Sequence, residues 1–102
     1  MKLEYFRELI TLVRMENYLS AAEALHLSQS TLSRHVMLTE EYFGIRIFNR
    51  EVKHFSVTRE GEYLLRYAAE IVELYDNYRN NLQSPGEPGG AEGAPGGQNS
   101  TI

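Results

Sequence analysis

The 102-residue chain contains no cysteine and no tryptophan, and its three prolines (Pro85, Pro88, Pro95) all lie near the C-terminus. Without thiols there is no disulfide framework, no thiolate metal site and no thiol nucleophile, which fits a reducing compartment. No apolar run approaches the roughly 20 residues needed to span a bilayer. The N-terminus, MKLEYFRELI, carries charge where a signal peptide needs an apolar block. A soluble, cytoplasmic protein that does not associate with membranes is therefore expected. Positive charge is also scarce: 10 Lys and Arg against 14 Asp and Glu leave a formal net charge of -4. The overall basic excess that usually accompanies phosphate binding is missing.

Glycine is just as unevenly spread. Before residue 84 it occurs at Gly44 and Gly61, and the other six lie between Gly86 and Gly97, mixed with the prolines, Ala, Glu and Gln. Residues 84–102 have too few apolar side chains to offset their chain entropy, so a disordered linker is expected there. Residues 1–83 can support one modest core, which in a chain this small is often completed by a second subunit.

Within that part, Phe6, Leu9, Ile10 and Val13 recur at i, i+3, i+4 and i+7, one stripe of an amphipathic helix, with Arg7 and Glu8 outside it. Asn17 is a suitable stop. Ser20 with Glu23 has the spacing of a capping box, so a short second helix is predicted from Ala21 to about Leu25. Its small residues Ala21, Ala22 and Ala24 permit a close crossing. His26 and Leu27 form the turn, and Ser28 is the cap of a third helix closed by Gly44.

The third helix has two faces. Leu32, Val36, Thr39 and Phe43 fall on the inward stripe. Gln29, Ser30, Ser33, Arg34 and Met37 lie opposite, with Thr31 and His35 beside them, and no acidic side chain occurs from Ser28 to Leu38. A polar helix face is ordinarily just solvated. Here it adjoins a helix N-terminus, whose unpaired amides and partial positive charge suit phosphate oxygens. Gln and Arg can also make bidentate contacts to adenine and guanine in a major groove. Charge supports this placement, because Ser28 to Arg59 holds five basic residues against three acidic ones.

Ile45, Ile47 and Phe48, then Phe55 and Val57 after a polar turn, are expected to form two short strands, with Lys53 and His54 at the tip. Thr58, backed by Glu60 and Glu62, caps a long helix reaching Leu82. Along it, Leu64, Ala68, Ile71, Tyr75, Tyr78 and Leu82 are spaced 4, 3, 4, 3 and 4, the alternation of a helix that pairs with another. A three-helix core can cover the N-terminal half of that stripe, which leaves the rest for a partner.

Over about residues 3–83 the chain resembles the N-terminal domain of LysR-type transcriptional regulators. Ala21, Ala22, Leu25, Ser28, Gln29, Ser33, Phe43, Gly44, Phe48, Arg50, Thr58 and Gly61 match that family's ordered pattern. The resemblance implies a mainly α fold, a winged helix-turn-helix with a three-helix core and a short two-stranded wing, followed by a long linker and dimerisation helix. It divides the chain into a DNA-binding domain (1–57), a linker helix (58–83) and the tail (84–102). It implies double-stranded DNA as partner, a homodimer through Leu64, Ala68, Ile71, Tyr75, Tyr78 and Leu82, and a pseudo-palindromic site.

By the same resemblance Ser28, Gln29, Ser30, Thr31, Ser33 and Arg34 would sit on DNA, with Arg50, Lys53 and His54 adding contacts from the wing. Three positions depart from the pattern: Thr39 stands for a core leucine, Val52 for the wing's turn glycine, and Glu60 for an alanine. These departures and the weakly basic wing predict weaker DNA affinity than the family norm. The family's effector-sensing domain is expected to be lacking, since the Gly-rich tail stands in its place, so no small-molecule ligand is inferred.

An enzyme is not expected. His26, His35 and His54 lack metal-ligand spacing with carboxylates, no phosphate-binding glycine loop lies in the folded part, and no nucleophile is followed by an evident base. No cofactor and no metal are predicted. The rival function is a truncated regulator acting through heterodimers with longer relatives, with little DNA binding of its own.

Overall fold

The computed structural model describes residues 1–83, so the expected disordered tail, residues 84–102, lies outside the described residues. Four helices are present: α1 (Leu3–Met15), α2 (Tyr18–Leu25), α3 (Gln29–Phe43) and α4 (Arg59–Gln83). The contacts within the chain divide it after Val72.

In the first unit, Met1–Val72, the core joins Phe6, Leu9 and Leu12 of α1 to Ala21 and Ala22 of α2 and to Leu32 and Val36 of α3. Ile47, Phe48 and Ala68 complete it. On α1 the buried arc includes Leu12, fully enclosed, whereas Ile10 and Val13 of the predicted stripe are only half-buried. Glu8, placed outside the stripe by its charge, is buried as well. Its carboxylate meets His35 of α3. The fully buried Ala21 lets the helices cross closely, as its small size predicts.

The caps correct two sequence expectations. The helix α2 begins at Tyr18 rather than Ala21, because Asn17 is the N-cap: its side chain accepts from the Ser20 amide at 2.8 Å. The stop of α1 is Glu16, held in the left-handed region (φ 55°) with its amide donating to the Leu12 carbonyl. Glu16 makes the turn, so Asn17 is left extended and free to cap. Ser20 therefore lies inside the helix and its pairing with Glu23 is not the start signal. His26 (φ 60°) closes α2 and Gly44 (φ 69°) closes α3.

Residues 45–58 form the wing. Its segments pair antiparallel at Phe48 and Val57, with the Asn49 amide donating to the Ser56 carbonyl and the Thr58 amide to the Ile47 carbonyl. Asn49 Nδ2 also donates to Ser56 Oγ at 2.9 Å. Phe48 packs edge-on against Tyr18 and at a tilt against Phe55, so the wing is anchored to the core by aromatic faces.

Thr58 links wing and helix: its hydroxyl accepts from the Gly61 amide at 2.9 Å, capping α4, and donates to the Arg46 carbonyl. Gly61 is required by close approach, since a Cβ there would lie 2.5 Å from the Ile47 carbonyl oxygen. In the first unit Ala68 of α4 is fully buried, with Leu64, Leu65 and Val72 packed against the core. The described part of the second unit is the C-terminal end of α4, where Leu74, Tyr78 and Leu82 are exposed.

Candidate nucleic-acid interface

The N-terminus of α3 is built by one serine. Ser28 is extended (φ -74°, ψ 155°), and its Oγ accepts from the Thr31 amide at 3.1 Å and donates to Thr31 Oγ1 at 2.8 Å. Its Oγ also lies 3.3 Å from Ser30 Oγ. Ser28 and Thr31 are thus engaged in holding the helix end, while no acidic residue occupies the first turn. The remaining donors of that end are open to an anion.

Beyond the cap, Gln29, Ser30, Ser33 and Arg34 are exposed. Gln29, Ser33 and Arg34 make no side-chain hydrogen bond among the described residues, so their donors are available to a ligand. Ser30, Thr31, Ser33, Arg34 and Met37 line a shallow depression of ≈ 430 Å³. The structure thus gathers the α3 candidates on one open face.

The inward face is less apolar than the pattern of Leu32, Val36, Thr39 and Phe43 implies. Leu32, Val36 and Thr39 are enclosed, but Phe43 is exposed at its edge, stacked 6.1 Å from Phe6 and edge-on to Tyr42. Thr39, where the family pattern has leucine, satisfies its buried hydroxyl by donating to the His35 carbonyl at 2.9 Å.

Two polar links on this face were not read from the sequence. His35 points to α1, where its Nδ1 lies 2.7 Å from Glu8 Oε1 and its ring stacks on Tyr5 at 4.3 Å. It is therefore neither solvated nor turned outward with Arg34. Glu40 is the second link: its buried carboxylate accepts from the Ile47 amide at 2.7 Å and from Arg50 at 2.8 Å. A signal existed for both, since Leu32, Val36 and Glu40 are spaced by four and His35 stands three residues after Leu32 and four before Thr39.

Arg50 is thus half-committed. One guanidinium nitrogen holds Glu40, while the side chain keeps 44% of its exposure for an outside anion. Lys53 and His54 are exposed in the wing turn, with Glu51 and Val52 alongside. Nearby, half-buried Tyr18 has its phenol pushed above its ordinary pKa, chiefly because burial disfavours the phenolate; Arg50 opposes this and Glu40 adds to it.

On α4 the expected dimerisation residues separate into two groups. Leu64 and Ala68 pack within their own chain, while Ile71, Tyr75, Tyr78 and Leu82 are exposed. Tyr63 and Tyr67 are also exposed, stacked edge-on at 5.5 Å, and were not among the expected residues. With Phe43, Ile45 and Leu64 they line an apolar groove of ≈ 660 Å³ in the first unit. No cluster of three or more His, Asp or Glu suited to a metal occurs among the described residues, and no helix there is long and apolar enough to cross a membrane.

The model of the bacterial regulatory helix-turn-helix proteins of the lysR family matches residues 3–62, more than half of the chain. The chain belongs to the LysR family. This LysR-family chain is 34% identical over 79 residues to the HTH-type transcriptional regulator CysL of Bacillus subtilis (strain 168), covering 78% of this chain and 26% of CysL. It is 30% identical over 77 residues to CitR of the same organism, covering 76% of this chain and 26% of CitR. It thus spans about a quarter of the length of these curated relatives.

Among solved structures, the BenM DNA-binding domain in complex with benA site 1 DNA matches with a TM-score of 0.78 and 25% identity, covering 86% of this chain and 99% of that one. Full-length OxyR C199D of Pseudomonas aeruginosa matches with a TM-score of 0.79 and 31% identity, covering 85% of this chain and 30% of that one. The LysR-family chain therefore has the winged helix-turn-helix fold of a DNA-binding, transcription-regulating domain, and its named relatives are transcriptional regulators.

Proposed function

We propose that this LysR-family chain reads double-stranded DNA in sequence-specific fashion through α3, as a homodimer on a pseudo-palindromic site. The observation that carries the reading is the open face of Gln29, Ser33 and Arg34 on a helix whose N-terminus is capped by Ser28 and free of acid. Ser28, Ser30 and Thr31 border a backbone phosphate at that helix end, and Gln29, Ser33 and Arg34 reach base edges. Arg50, Lys53 and His54 add contacts from the wing side, with Arg50 sharing its charge between Glu40 and the phosphates.

Homodimerisation is supported by the exposed apolar residues of α4, Ile71, Tyr75, Tyr78 and Leu82, which a monomer leaves in water. A two-fold dimer presents two copies of α3 to two half-sites. The chemistry on this face is binding, and transcriptional control follows from occupying an operator.

Selection of binding sites from random duplex DNA tests the whole reading, because an enriched two-fold motif reports specificity and symmetry together. With the selected site in hand, Arg34→Ala is expected to lose about 1–3 kcal/mol of specific binding and to relax the preference at one base pair per half-site. Lys53→Ala is expected to weaken binding to all sequences alike and to flatten the salt dependence. Unchanged affinity and preference in the Arg34→Ala protein would remove α3's outer face from the interface.

A further inference from the structure

The contact between α1 and α3 is apolar along Phe6, Leu9, Leu12, Leu32 and Val36, and it carries a polar link, Glu8 to His35. The side chains of His35 and Glu8 are only 20% and 11% exposed. A carboxylate only accepts, so Nδ1 of His35 carries the proton at this 2.7 Å contact whatever the charge of the ring. The Tyr5 ring lies 4.3 Å away and within 18° of parallel, so it sets the plane of the imidazole. The His35 backbone is tied in turn, its carbonyl accepting from Thr39 Oγ1.

A buried polar pair of this kind is a weak source of stability, because desolvation offsets most of its attraction. It does supply direction. Apolar contacts tolerate small rotations and slides of one helix on another, whereas a short hydrogen bond to a carboxylate is sensitive to both distance and angle. His35 directly follows Ser33 and Arg34, the two residues that face away from the core on the same turn. Rotation of α3 about its axis therefore moves these side chains and the Glu8 link together, and useful contacts need placement within about 0.5 Å and 10–20°.

We propose that Glu8 and His35 are positioning residues that set the rotation of α3 on α1, and thereby the sequence discrimination of Ser33 and Arg34. The proposal rests on the reading of α3 as the DNA-binding face. Neither side chain touches DNA; both act through the helix that does.

Three variants separate positioning from plain stability. Glu8→Gln keeps an acceptor for the His35 Nδ1 proton, Glu8→Leu removes it, and Glu8→Leu with His35→Leu replaces the pair by apolar packing. For each, the thermal midpoint is measured together with the affinity for the site selected by the wild-type protein and for a scrambled duplex of equal length. The ratio of the two affinities is expected to stay within about threefold of wild type for Glu8→Gln and to fall about tenfold for both leucine variants, the size of one mismatched base pair. Affinity for the scrambled duplex is expected to be unchanged, and the loss is expected to persist in the double variant even where its thermal midpoint equals or exceeds that of wild type. A ratio that follows the thermal midpoint, or that leucine leaves intact, would overturn the positioning role alone. A wild-type protein that prefers no duplex over its scramble would overturn the DNA reading and this inference with it.

Discussion

Glu16 and His26 hold left-handed backbone conformations, at φ 55° and 60°, that cost an L-residue more than they cost glycine. At Glu16 the balance is readable. Relief of the left-handed strain is worth roughly 1–2 kcal/mol, and removing a carboxylate from a helix C-terminus adds a few tenths, against roughly 0.5–1 kcal/mol for the greater freedom of an unfolded glycine. Glu16→Gly is therefore expected to stabilise the domain by about 1 kcal/mol, seen as a higher urea midpoint with an unchanged slope. Tyr18 makes a prediction in pH. Its folded pKa lies above the unfolded value of 10.0, so above that pH the unfolded chain loses a proton that the folded chain retains. The stability this burial contributes is full below pH 10 and declines as pH rises toward the folded pKa. Alkaline unfolding curves of Tyr18→Phe are expected to show a shallower decline above pH 10 than wild type.

At the scale of elements, the helix ends were largely legible and the polar links were not. Ser28, Gly44 and Thr58 cap as their sequence contexts predict, because a cap depends on residues three or four apart along the chain. The start of α2 was misplaced because Asn17 and Ser20 are both capping residues, and Glu16 took the stop expected of Asn17. Glu8 and His35 are placed outside the apolar stripes by the sequence, and nothing in it assigns Glu40 a partner, since the partners lie 27 and up to 10 residues away. Ser28→Ala is expected to cost about 1 kcal/mol by unfolding, the usual loss for a serine N-cap. Gly61→Ala is expected to cost more, because the clash at 2.5 Å is with the Ile47 backbone and α4 must shift to relieve it. Its thermal midpoint, compared with that of Glu60→Ala one residue away on the exposed side, isolates the close approach.

For the whole molecule, the net charge of -4 conceals where charge sits. Arg34, Arg46, Arg50, Lys53 and Arg59 against Glu40, Glu41 and Glu51 make the segment from Ser28 to Arg59 net basic, opposite in sign to the chain total. Pairing of two chains, as proposed, would double that basic segment, which gives dimerisation a consequence for affinity as well as for symmetry. Replacing both Ile71 and Tyr75 by Asp is expected to give a monomer by sedimentation and to lose cooperative binding to a two-fold site, with the circular dichroism of the helices retained. A wild-type protein that sediments as a monomer at high concentration would remove the dimer from the proposal.

Period, capping and turn chemistry act over a few residues, and so the helix order, the polar outer face of α3 and the apolar repeat of α4 can all be derived from the residues in sequence. Packing acts between segments remote in the chain, and only the folded structure shows which charges it encloses. It packed Leu64 and Ala68 against the core of their own chain and left Tyr63 and Tyr67 exposed on the same helix. It also turned His35 from the outer face to Glu8 and bound half of Arg50 to Glu40. The cause is the same in each case: a side chain's spacing along a helix tells which way it points, and the identity of what it meets depends on how the helices are stacked.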